Sequence, residues 1–300
     1  MITRDREYGI GSHTRCLCKY LRKNGIEVDE LYGGGNLRTN ILPFFKDLRK
    51  YDIIHSQGSP FCIMETDIPK ITTVHTLIKK EREFEDNLSF RIGEQFEKKT
   101  LNSSDKIIVV NDFLKDELQK YYEISGSRVC VIPNGIDFSE FLDKEKVRGR
   151  FVLTGGRDIK RKNLQEVRDI CIELRINLIE FGTSKYVPRS ELLELYRTAM
   201  CFISSSVYET GSLTVMEAMA SRCPVIYRDA EFANNLIGED GIRYFTEVRF
   251  KKELSFLKKY GYNYSFSSDM LDRAYDKVKD KYDWSVLVKR VINVYDEVLM

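Results

Sequence analysis

The sequence has 300 residues, of which 42% are hydrophobic and 31% charged, and its 48 basic and 46 acidic residues leave a formal net charge of +2. This balance argues against nucleic acid as a partner, because nucleic-acid-binding domains usually carry a large excess of basic residues. No stretch reaches the ~18 consecutive apolar residues of a membrane span, and the charged first residues show no secretory signal. We therefore expect a soluble cytoplasmic protein of one or two domains, in which the seven cysteines are free and mostly buried.

Short runs of β-branched residues alternate with longer amphipathic stretches along the whole chain. The runs predict strands at residues 51–55, 71–75, 106–111, 128–132, 150–154, 177–181, 200–204 and 223–227. The amphipathic stretches predict helices that include residues 14–23, 113–122 and 190–198, one solvated helix over 79–101, and two helices within 267–300. Strands that alternate with helices indicate βαβ units and a mainly parallel sheet.

The alternation breaks at Pro133-Asn134-Gly135-Ile136-Asp137, where proline followed by Asn-Gly is typical of a turn. A charged segment, residues 143–150, follows before the next predicted strand. We place a domain boundary after Asp137, which divides the chain into two α/β domains of similar length.

The most informative stretch runs from the predicted strand at 200–204 through a serine-rich loop to Gly211, Ser212 and a helix. Backbone amides at such a helix N-terminus, together with the helix dipole, form a site for an anion. Glu209 precedes this helix and Glu217 lies inside it, and a carboxylate at this sheet edge can accept hydrogen bonds from two hydroxyls of a ribose or a sugar ring. The alternative is that Glu209 caps the helix and Glu217 is a solvated charge.

A second glycine-containing turn follows the predicted strand at 150–154. Gly155 and Gly156 let the backbone approach a ligand, while Arg157 and Lys162 bring positive charge to one point. An arginine fork with a lysine charge suits a diphosphate, although the Gly-Lys-Ser/Thr of a P-loop is absent. The alternative is a basic, solvated turn.

Two features in the first half of the chain are weaker indications of a ligand site. Gly9 and Gly11 form a turn before the first helix, but they supply only two glycines of a dinucleotide fingerprint and indicate NAD poorly. His75 ends an apolar strand, where parallel sheets place ligands, and His55 ends another strand in the same way. For both histidines a purely structural role remains the alternative.

Together these motifs resemble a retaining glycosyltransferase of family 4. The resemblance covers nearly the whole chain and implies the GT-B fold, in which two facing Rossmann-like domains enclose a cleft. It gives an N-terminal acceptor-side domain (1–137), a C-terminal nucleotide-sugar domain (138–282), and a closing helix (283–300) that packs back towards the first domain. The matching motifs are the Gly9–Gly11 turn with Leu17, Leu21 and Gly25, the segments 51–55, 104–110 and 132–137, His75, Gly156-Arg157 with Lys162, Glu209 to Glu217 followed by 218–220, 283–285, and Val294-Tyr295.

The resemblance implies how the donor diphosphate is held. Arg157 and Lys162 would bind it and stabilise the charge of the leaving group. Backbone amides near Gly211, Ser212 and Leu213 would add hydrogen-bond donors to the same phosphates.

The resemblance also assigns the sugar contacts. Glu217 would hold the ribose of the nucleotide, and Glu209 would contact hydroxyls of the transferred sugar. His75 would contact the donor sugar near the reacting carbon, and Gly9 to Gly11 would line the cleft from the N-terminal side.

The implied reaction is hexosyl transfer from a UDP- or GDP-sugar to a glycan, lipid or small-molecule acceptor. Family members are generally described as using a front-face substitution in which the departing phosphate helps to deprotonate the acceptor, so no protein nucleophile is named. No cofactor and no metal are expected, and the sequence contains no Asp-x-Asp that would hold a metal-bound nucleotide-sugar.

Three residues depart from the family pattern. Ser212 replaces a glycine in the phosphate-facing turn but keeps its amide, so we expect that contact to survive. Arg222 replaces a glycine before the strand at 223–227, where a positive φ would strain it. Tyr8 replaces the first glycine of the N-terminal pair, which puts the acceptor-side geometry in doubt.

Two other functions stay open from the sequence: a nucleotide-sugar epimerase of the same architecture, and a nucleotide-sugar-binding protein without catalysis. A weak peripheral contact with the inner face of a membrane is a further hypothesis. It rests on four basic residues of the first helix, Arg15, Lys19, Arg22 and Lys23, which have no acidic residue among them. A solvated helix explains these residues equally well.

Overall fold

The computed structural model of the chain describes residues 1–3, 9–32, 48–58, 66–141, 147–157, 159–182 and 187–300. Two compact units are present, one formed by Met1–Gly135 with Trp284–Met300 and the other by Ile136–Asp283. The division after Gly135 lies within the Pro133–Asp137 turn. Both units are α/β with parallel sheets, which confirms the predicted fold class.

The described part of the first unit contains a six-stranded parallel sheet in the order β2-β1-β3-β4-β5-β6. The strands are β1 (Ile2–Thr3), β2 (Leu31–Tyr32), β3 (Ile54–Gln57), β4 (Lys70–Val74), β5 (Lys106–Val109) and β6 (Val129–Val131). The helices are α1 (Ile10–Lys23), α2 (Ile78–Phe84), α3 (Leu88–Ser103) and α4 (Asp112–Tyr122), with α11 (Trp284–Leu299) from the end of the chain.

Alternate residues of β5 point into two different cores, as the period of two in a strand requires. Ile107 and Val109 pack in a core with Leu101 of α3 and with α4. Ile108 packs on the opposite face of the sheet, in the core that α1 and α11 cover. Helices α1 and α3 therefore lie on opposite faces of this sheet.

The prediction of a single solvated helix over residues 79–101 is wrong. Two helices, α2 and α3, replace it, and the chain between them is extended at Glu85 and Asn87. The Asn87 side chain accepts a hydrogen bond from the Phe90 amide at 3.0 Å. An asparagine that caps a helix in this way starts a new helix instead of continuing the old one.

The described part of the second unit contains a five-stranded parallel sheet in the order β11-β10-β9-β7-β8. The strands are β7 (Phe151–Gly155), β8 (Asn177–Phe181), β9 (Cys201–Ser204), β10 (Val225–Arg228) and β11 (Ile242–Tyr244). The helices are α5 (Leu164–Glu173), α6 (Arg189–Thr198), α7 (Leu213–Ala220), α8 (Glu231–Leu236), α9 (Glu247–Tyr260) and α10 (Ser268–Tyr282). The two helices predicted within 267–300 are confirmed as α10 and α11.

Close packing explains the glycine in the Pro133–Asp137 turn. A Cβ on Gly135 would lie 2.9 Å from the Trp284 ring at the start of α11, nearer than packed carbon atoms approach. The sequence pattern indicated a turn at this position. The structure adds a second reason for glycine, because the ring of Trp284 leaves no space for a larger residue.

The described cysteines are free, and Cys62 lies outside the described residues. Among the helices that the structure describes, none has the length and apolar character needed to cross a bilayer.

The positive φ anticipated for Arg222 is confirmed, since its φ is 51°. The residue follows α7, and its side chain pairs with Asp272 at 2.7 Å and lies 3.8 Å from the centre of the Tyr275 ring. These contacts offset part of the cost of a left-handed backbone in a residue other than glycine.

We predict that Arg222→Gly will be more stable than Arg222→Ala by about 1 kcal/mol. Both variants lose the contacts with Asp272 and Tyr275, but only the alanine keeps the cost of the positive φ. Chemical denaturation of the two variants measures the difference in their free energies of unfolding. Equal stabilities would contradict the prediction.

Candidate active site

The loop after β7 is shaped around Gly156. Gly156 has a φ of 128°, and its amide donates to the Phe181 carbonyl at 3.0 Å. A Cβ at this position would lie 3.2 Å from Cε of Lys162. The backbone conformation therefore requires glycine, and a larger residue would also crowd the Lys162 side chain.

An ion pair joins this loop to the loop after β9. The Lys162 ammonium contacts Oε1 of Glu209, and Nη1 of Arg161 lies 3.3 Å from the same oxygen. Ser206 donates its hydroxyl to that oxygen at 3.0 Å. The side chains of Lys162 and Glu209 are only 13% and 10% exposed. The two motifs singled out in the sequence thus form one site at the carboxyl edge of the sheet.

Backbone contacts hold the two loops together around this pair. The Val207 amide donates to the Arg161 carbonyl at 2.9 Å, and the Ser205 hydroxyl donates to the Lys162 carbonyl at 2.8 Å. Arg161 also donates to the carbonyl of Tyr208 at 3.2 Å. The positions of Lys162 and Glu209 are therefore set by the fold as well as by their charges.

Glu209 is held in its ionised form. Burial alone would raise its pKa, but the charges of Lys162 and Arg161 and the hydrogen bonds of Lys162 and Ser206 outweigh burial, so the pKa lies below the usual value. The suggestion that Glu209 caps the following helix is wrong, because Ser212 is the N-cap and the carboxylate of Glu209 contacts Lys162, Arg161 and Ser206 instead. Arg157 lies in the same loop with an exposed side chain.

The N-terminus of α7 lies just after the loop that carries Glu209. Ser212 is its N-cap residue, with a φ of −72° that suits any residue, so the replacement of glycine by serine causes no strain there. The Ser212 hydroxyl lies 3.0 Å from the Thr214 hydroxyl and does not cap a helix amide. The amides at the start of α7 are thus not used by the side chain of its cap residue.

Glu217 lies inside α7 and is buried, so the alternative of a solvated charge is wrong. Arg189 donates to its Oε1 at 2.6 Å, and the Tyr196 hydroxyl donates to its Oε2 at 3.2 Å. Arg189 also donates to Glu140 at 2.6 Å. Burial outweighs the pull of Arg189 and raises the pKa of Glu217 above its usual value. Glu209 and Glu217 therefore have separate basic partners.

His75 lies just beyond β4 in the first unit, with a side-chain amide beside each of its ring nitrogens. Its Nε2 lies 2.9 Å from Oε1 of Gln57, and its Nδ1 lies 3.2 Å from Oδ1 of Asn134. Burial lowers the pKa of His75 to about 4, so the ring is neutral at physiological pH. His13, in the first turn of α1, packs its ring edge-to-face at 4.6 Å from His75.

The glycine turn and His75 therefore come together at the carboxyl edge of the first sheet. Gly9 is the N-cap of α1 with a φ of 54°, and Gly11 is buried in the first turn. Tyr8 lies outside the described residues. His55 serves a structural network, because its two nitrogens lie 2.7 Å from the Tyr295 and Thr73 hydroxyls.

Sequence reasoning missed Arg161, Arg189, Gln57 and Asn134. A signal existed for Arg161, since it stands within the basic run Lys160-Arg161-Lys162, and Asn134 is part of the turn used for the domain boundary. Arg189 and Gln57 carried no distinctive signal. Within the described ranges, no three His, Cys, Asp or Glu side chains are placed to hold a metal ion.

The chain is similar to known proteins in its sequence as well as in its fold. Two protein-family models match the chain: Glycosyltransferase Family 4 over residues 32–140 and Glycosyl transferases group 1 over residues 138–255. The chain is 22% identical to the MMP alpha-(1->4)-mannosyltransferase of Mycolicibacterium hassiacum, over 64% of this chain and 56% of that protein. It is 26% identical to the alpha-monoglucosyldiacylglycerol synthase of Streptococcus pneumoniae, over 65% of this chain and 56% of that protein. The chain thus spans about half the length of these relatives.

Solved structures share the fold at low sequence identity. Sucrose-phosphate synthase from Thermosynechococcus elongatus superposes with a TM-score of 0.81 at 14% identity, covering 98% of this chain and 94% of the other. WaaG, a glycosyltransferase of lipopolysaccharide biosynthesis, gives a TM-score of 0.73 at 13% identity and 98% coverage of both chains. Anabaena HepE, solved with UDP and glucose, gives 0.73 at 13% identity and 99% coverage of both chains.

Proposed function

We propose that the chain is a glycosyltransferase of the GT-B fold, which the two matching glycosyltransferase models and the shared fold support, and that it transfers a hexose from a nucleotide-sugar to an acceptor with retention of configuration and without a catalytic metal. The observation that carries the proposal is the buried Lys162–Glu209 pair beside the N-terminus of α7. It combines a cation for a diphosphate with an ionised carboxylate for sugar hydroxyls. We assign the donor to the second unit and the acceptor to the first.

Lys162 binds the donor diphosphate. An ammonium has three N–H donors, and the contact with Glu209 uses one of them, so the others are available to phosphate oxygens. Arg157 adds an exposed guanidinium from the same loop, and the amides of Gly211, Ser212 and Leu213 add neutral donors. Donors that are fixed before the bond breaks stabilise the negative charge that develops on the leaving phosphate.

Glu209 accepts hydrogen bonds from the transferred sugar. In the described part of the chain, its contacts with Lys162, Arg161 and Ser206 all go to Oε1. Its other oxygen, Oε2, is therefore assigned to sugar hydroxyls. The low pKa of Glu209 keeps this acceptor ionised throughout the neutral range.

Glu217 holds the ribose of the nucleotide. Arg189 and Tyr196 each use one site of its carboxylate, which has about four acceptor positions. The remaining positions accept the two ribose hydroxyls. Arg189 opposes the rise that burial causes in the pKa of this carboxylate and orients it, and it acts on the donor through Glu217.

His75 contributes to sugar binding from the first unit, with Gly9 and Gly11 lining its surroundings. Because the side-chain amides of Gln57 and Asn134 lie beside the two ring nitrogens, we assign the ring edge and the neighbouring backbone to the sugar contact. The ring is neutral at physiological pH and does not act as a charged acid.

The names of the relatives indicate which nucleotide-sugar donors to test first. The names of two of them, a mannosyltransferase and a glucosyldiacylglycerol synthase, support a hexose as the transferred group. The UDP and glucose in the HepE structure support a UDP-hexose as the first donor to test. The acceptor is a glycan, a lipid or a small molecule.

A donor panel tests the proposal. The protein is incubated with UDP- and GDP-hexoses with and without an acceptor library, and nucleoside diphosphate release and product formation are measured. We expect transfer that depends on the acceptor. Conversion of the nucleotide-sugar into its epimer without an acceptor would identify an epimerase. Binding by calorimetry with neither transfer nor hydrolysis would identify a non-catalytic binding protein.

Removal of the Glu217 partner gives a second test. Arg189→Met should raise the KM for the donor at least about tenfold, the loss expected for a charge-assisted pair, with a smaller effect on kcat. The pKa of Glu217, already above its usual value, should rise further without Arg189. The KM of the variant should therefore fall as the pH rises and the carboxylate ionises.

Glu140→Gln is the matched control for that variant. It removes the other partner of Arg189 and leaves the contact between Arg189 and Glu217 in place. We expect a KM near that of the wild type. An equal rise in KM for both variants would contradict the role of Arg189 at Glu217.

A further inference from the structure

Helix α3 of the first unit presents an apolar stripe to solvent. Leu88, Ile92 and Phe96 are 72%, 50% and 42% exposed. Residues four apart lie on one face of a helix, so the three side chains form a continuous strip along nearly the first three turns. A contiguous apolar strip on a surface indicates an interaction site, whereas single exposed apolar residues do not.

The charges of α3 are sorted by face. Its exposed charged residues are all basic: Arg91, Lys98 and Lys99. Lys99 lies three residues after Phe96 and therefore on the stripe, while Arg91 and Lys98 lie along one side of it.

The acidic residues of α3 point inward. Glu94 pairs with Arg82 of α2. Glu97 contacts the Tyr122 hydroxyl and accepts from the Ile78 amide at 3.1 Å. The outward face of this helix is therefore apolar and basic.

The acidic residues just before α3 are partly neutralised. Asp86 pairs with Arg82 at 2.9 Å and with Arg91 at 2.8 Å, while Glu85 is exposed at the far end of the stripe. The positive charge is concentrated towards the C-terminal half of α3, around Lys98 and Lys99.

We propose that the outward face of α3 docks on an anionic lipid bilayer. An amphipathic helix with apolar residues flanked by lysine and arginine lies in the plane of the interface, with its apolar side chains below the headgroups. Here Leu88, Ile92 and Phe96 enter the interface, and the ammonium groups of Lys98 and Lys99 meet the anionic headgroups. A neutral partner would not account for the fact that the exposed charged residues of α3 are all basic.

The basic face of α1 is the other place where a membrane could bind, and the fold separates the two. Helices α1 and α3 lie on opposite faces of the sheet, so one flat bilayer cannot contact both. The residues of α1 expose no large hydrophobic side chain, and Arg22 is already paired with Glu30 at 2.9 Å. The geometry therefore favours α3.

Cosedimentation with lipid vesicles tests the proposal. The full chain is mixed with vesicles of phosphatidylcholine alone and of phosphatidylcholine with phosphatidylglycerol. We expect stronger binding to the anionic vesicles. Leu88→Ser/Ile92→Ser/Phe96→Ser should lower the partition coefficient at least about tenfold. Lys98→Gln/Lys99→Gln should lower binding to the anionic vesicles by about fivefold per lysine.

The control removes as many exposed apolar side chains without touching the stripe. Ile172→Ser/Val248→Ser/Val286→Ser alters residues that are 75%, 79% and 50% exposed on three different helices, and should bind vesicles like the wild type. Nucleotide binding, measured in parallel, should be the same for all variants, so the outcome does not depend on the proposed catalysis.

Three outcomes would overturn the proposal. The first is equal loss of binding in the control and stripe variants. The second is loss of vesicle binding in Lys19→Glu/Lys23→Glu with normal binding in the stripe variant, which would place the contact on α1. The third is no vesicle binding by the wild type together with self-association that the stripe variant abolishes, which would make the stripe a contact between copies of the chain.

Discussion

Lys162→Ala should lower kcat/KM for the donor by about 10²–10³-fold, the loss measured when one preorganised donor to a developing negative charge is removed. The ammonium of Lys162 is fixed before the reaction, because Glu209 holds it and the glycine at 156 leaves room for its side chain. Water that replaces it would have to reorient as the phosphate departs. The effect should therefore appear in kcat as well as in KM.

The same turn offers a matched control for Lys162. Lys160→Ala removes an equal charge two residues away, where the side chain is exposed. We expect steady-state kinetics of this variant to stay within about threefold of the wild type, because an exposed charge is screened by solvent and salt. Comparable losses in the two variants would mean that net charge, and not the position of Lys162, governs the rate.

Glu209→Gln should lower kcat by about 10²-fold, since charge-assisted hydrogen bonds are roughly twice as strong as neutral ones and several are made to this carboxylate. The amide keeps the size of the side chain, so the fold should survive. Glu180→Gln is the control, because it breaks another ion pair of the second unit, that with Arg168 at 2.8 Å, and should leave kcat unchanged. Rates that match the wild type in Glu209→Gln would remove Glu209 from the sugar site.

The pH dependence of stability provides an independent check on Glu209. Its pKa in the folded protein is below the usual value of 4.5, so the ionised form stabilises the fold above that pH and this contribution is lost as the pH falls through the folded pKa. The Tm difference between the wild type and Glu209→Gln should be constant near neutrality and shrink at acid pH. A difference that grows on acidification would mean that the pKa is raised.

The two loops that form the proposed donor site could be located in the sequence because each contains residues with restricted chemistry. Gly156 followed by Lys162, and Glu209 followed by Glu217, were both recognisable by type and spacing. Their meeting was also predictable in principle, since both loops follow strands of a parallel sheet and such loops gather at the carboxyl edge. The adjacency of β7 and β9 brings them together.

The partners of Glu217 and His75 could not be predicted in the same way. Arg189 reaches Glu217 from α6, and Gln57 reaches His75 from the neighbouring strand. Many basic and amide side chains are available in a chain of this composition, and which one meets a given carboxylate depends on helix orientation. The burial of Glu217 likewise depended on packing that its position in an amphipathic pattern did not reveal.

Helix boundaries were the second feature that the sequence did not predict. The segment over residues 79–101 carries charges that suit one solvated helix, and the competing signal was a single capping residue, Asn87. Local side-chain hydrogen bonds of this kind decide where a helix begins, but they contribute little to hydrophobic periodicity. The strands β1, β2 and β11, each of two or three residues, were not predicted.

The anomeric configuration of the product tests the proposed retaining transfer most directly. The protein is incubated with an α-linked UDP-hexose and an acceptor, and the anomeric proton of the new glycosidic bond is examined by NMR. We expect an α-linked product and its loss in Lys162→Ala. A β-linked product would contradict retention, and an unchanged rate of product formation in Lys162→Ala would contradict the assignment of the donor site.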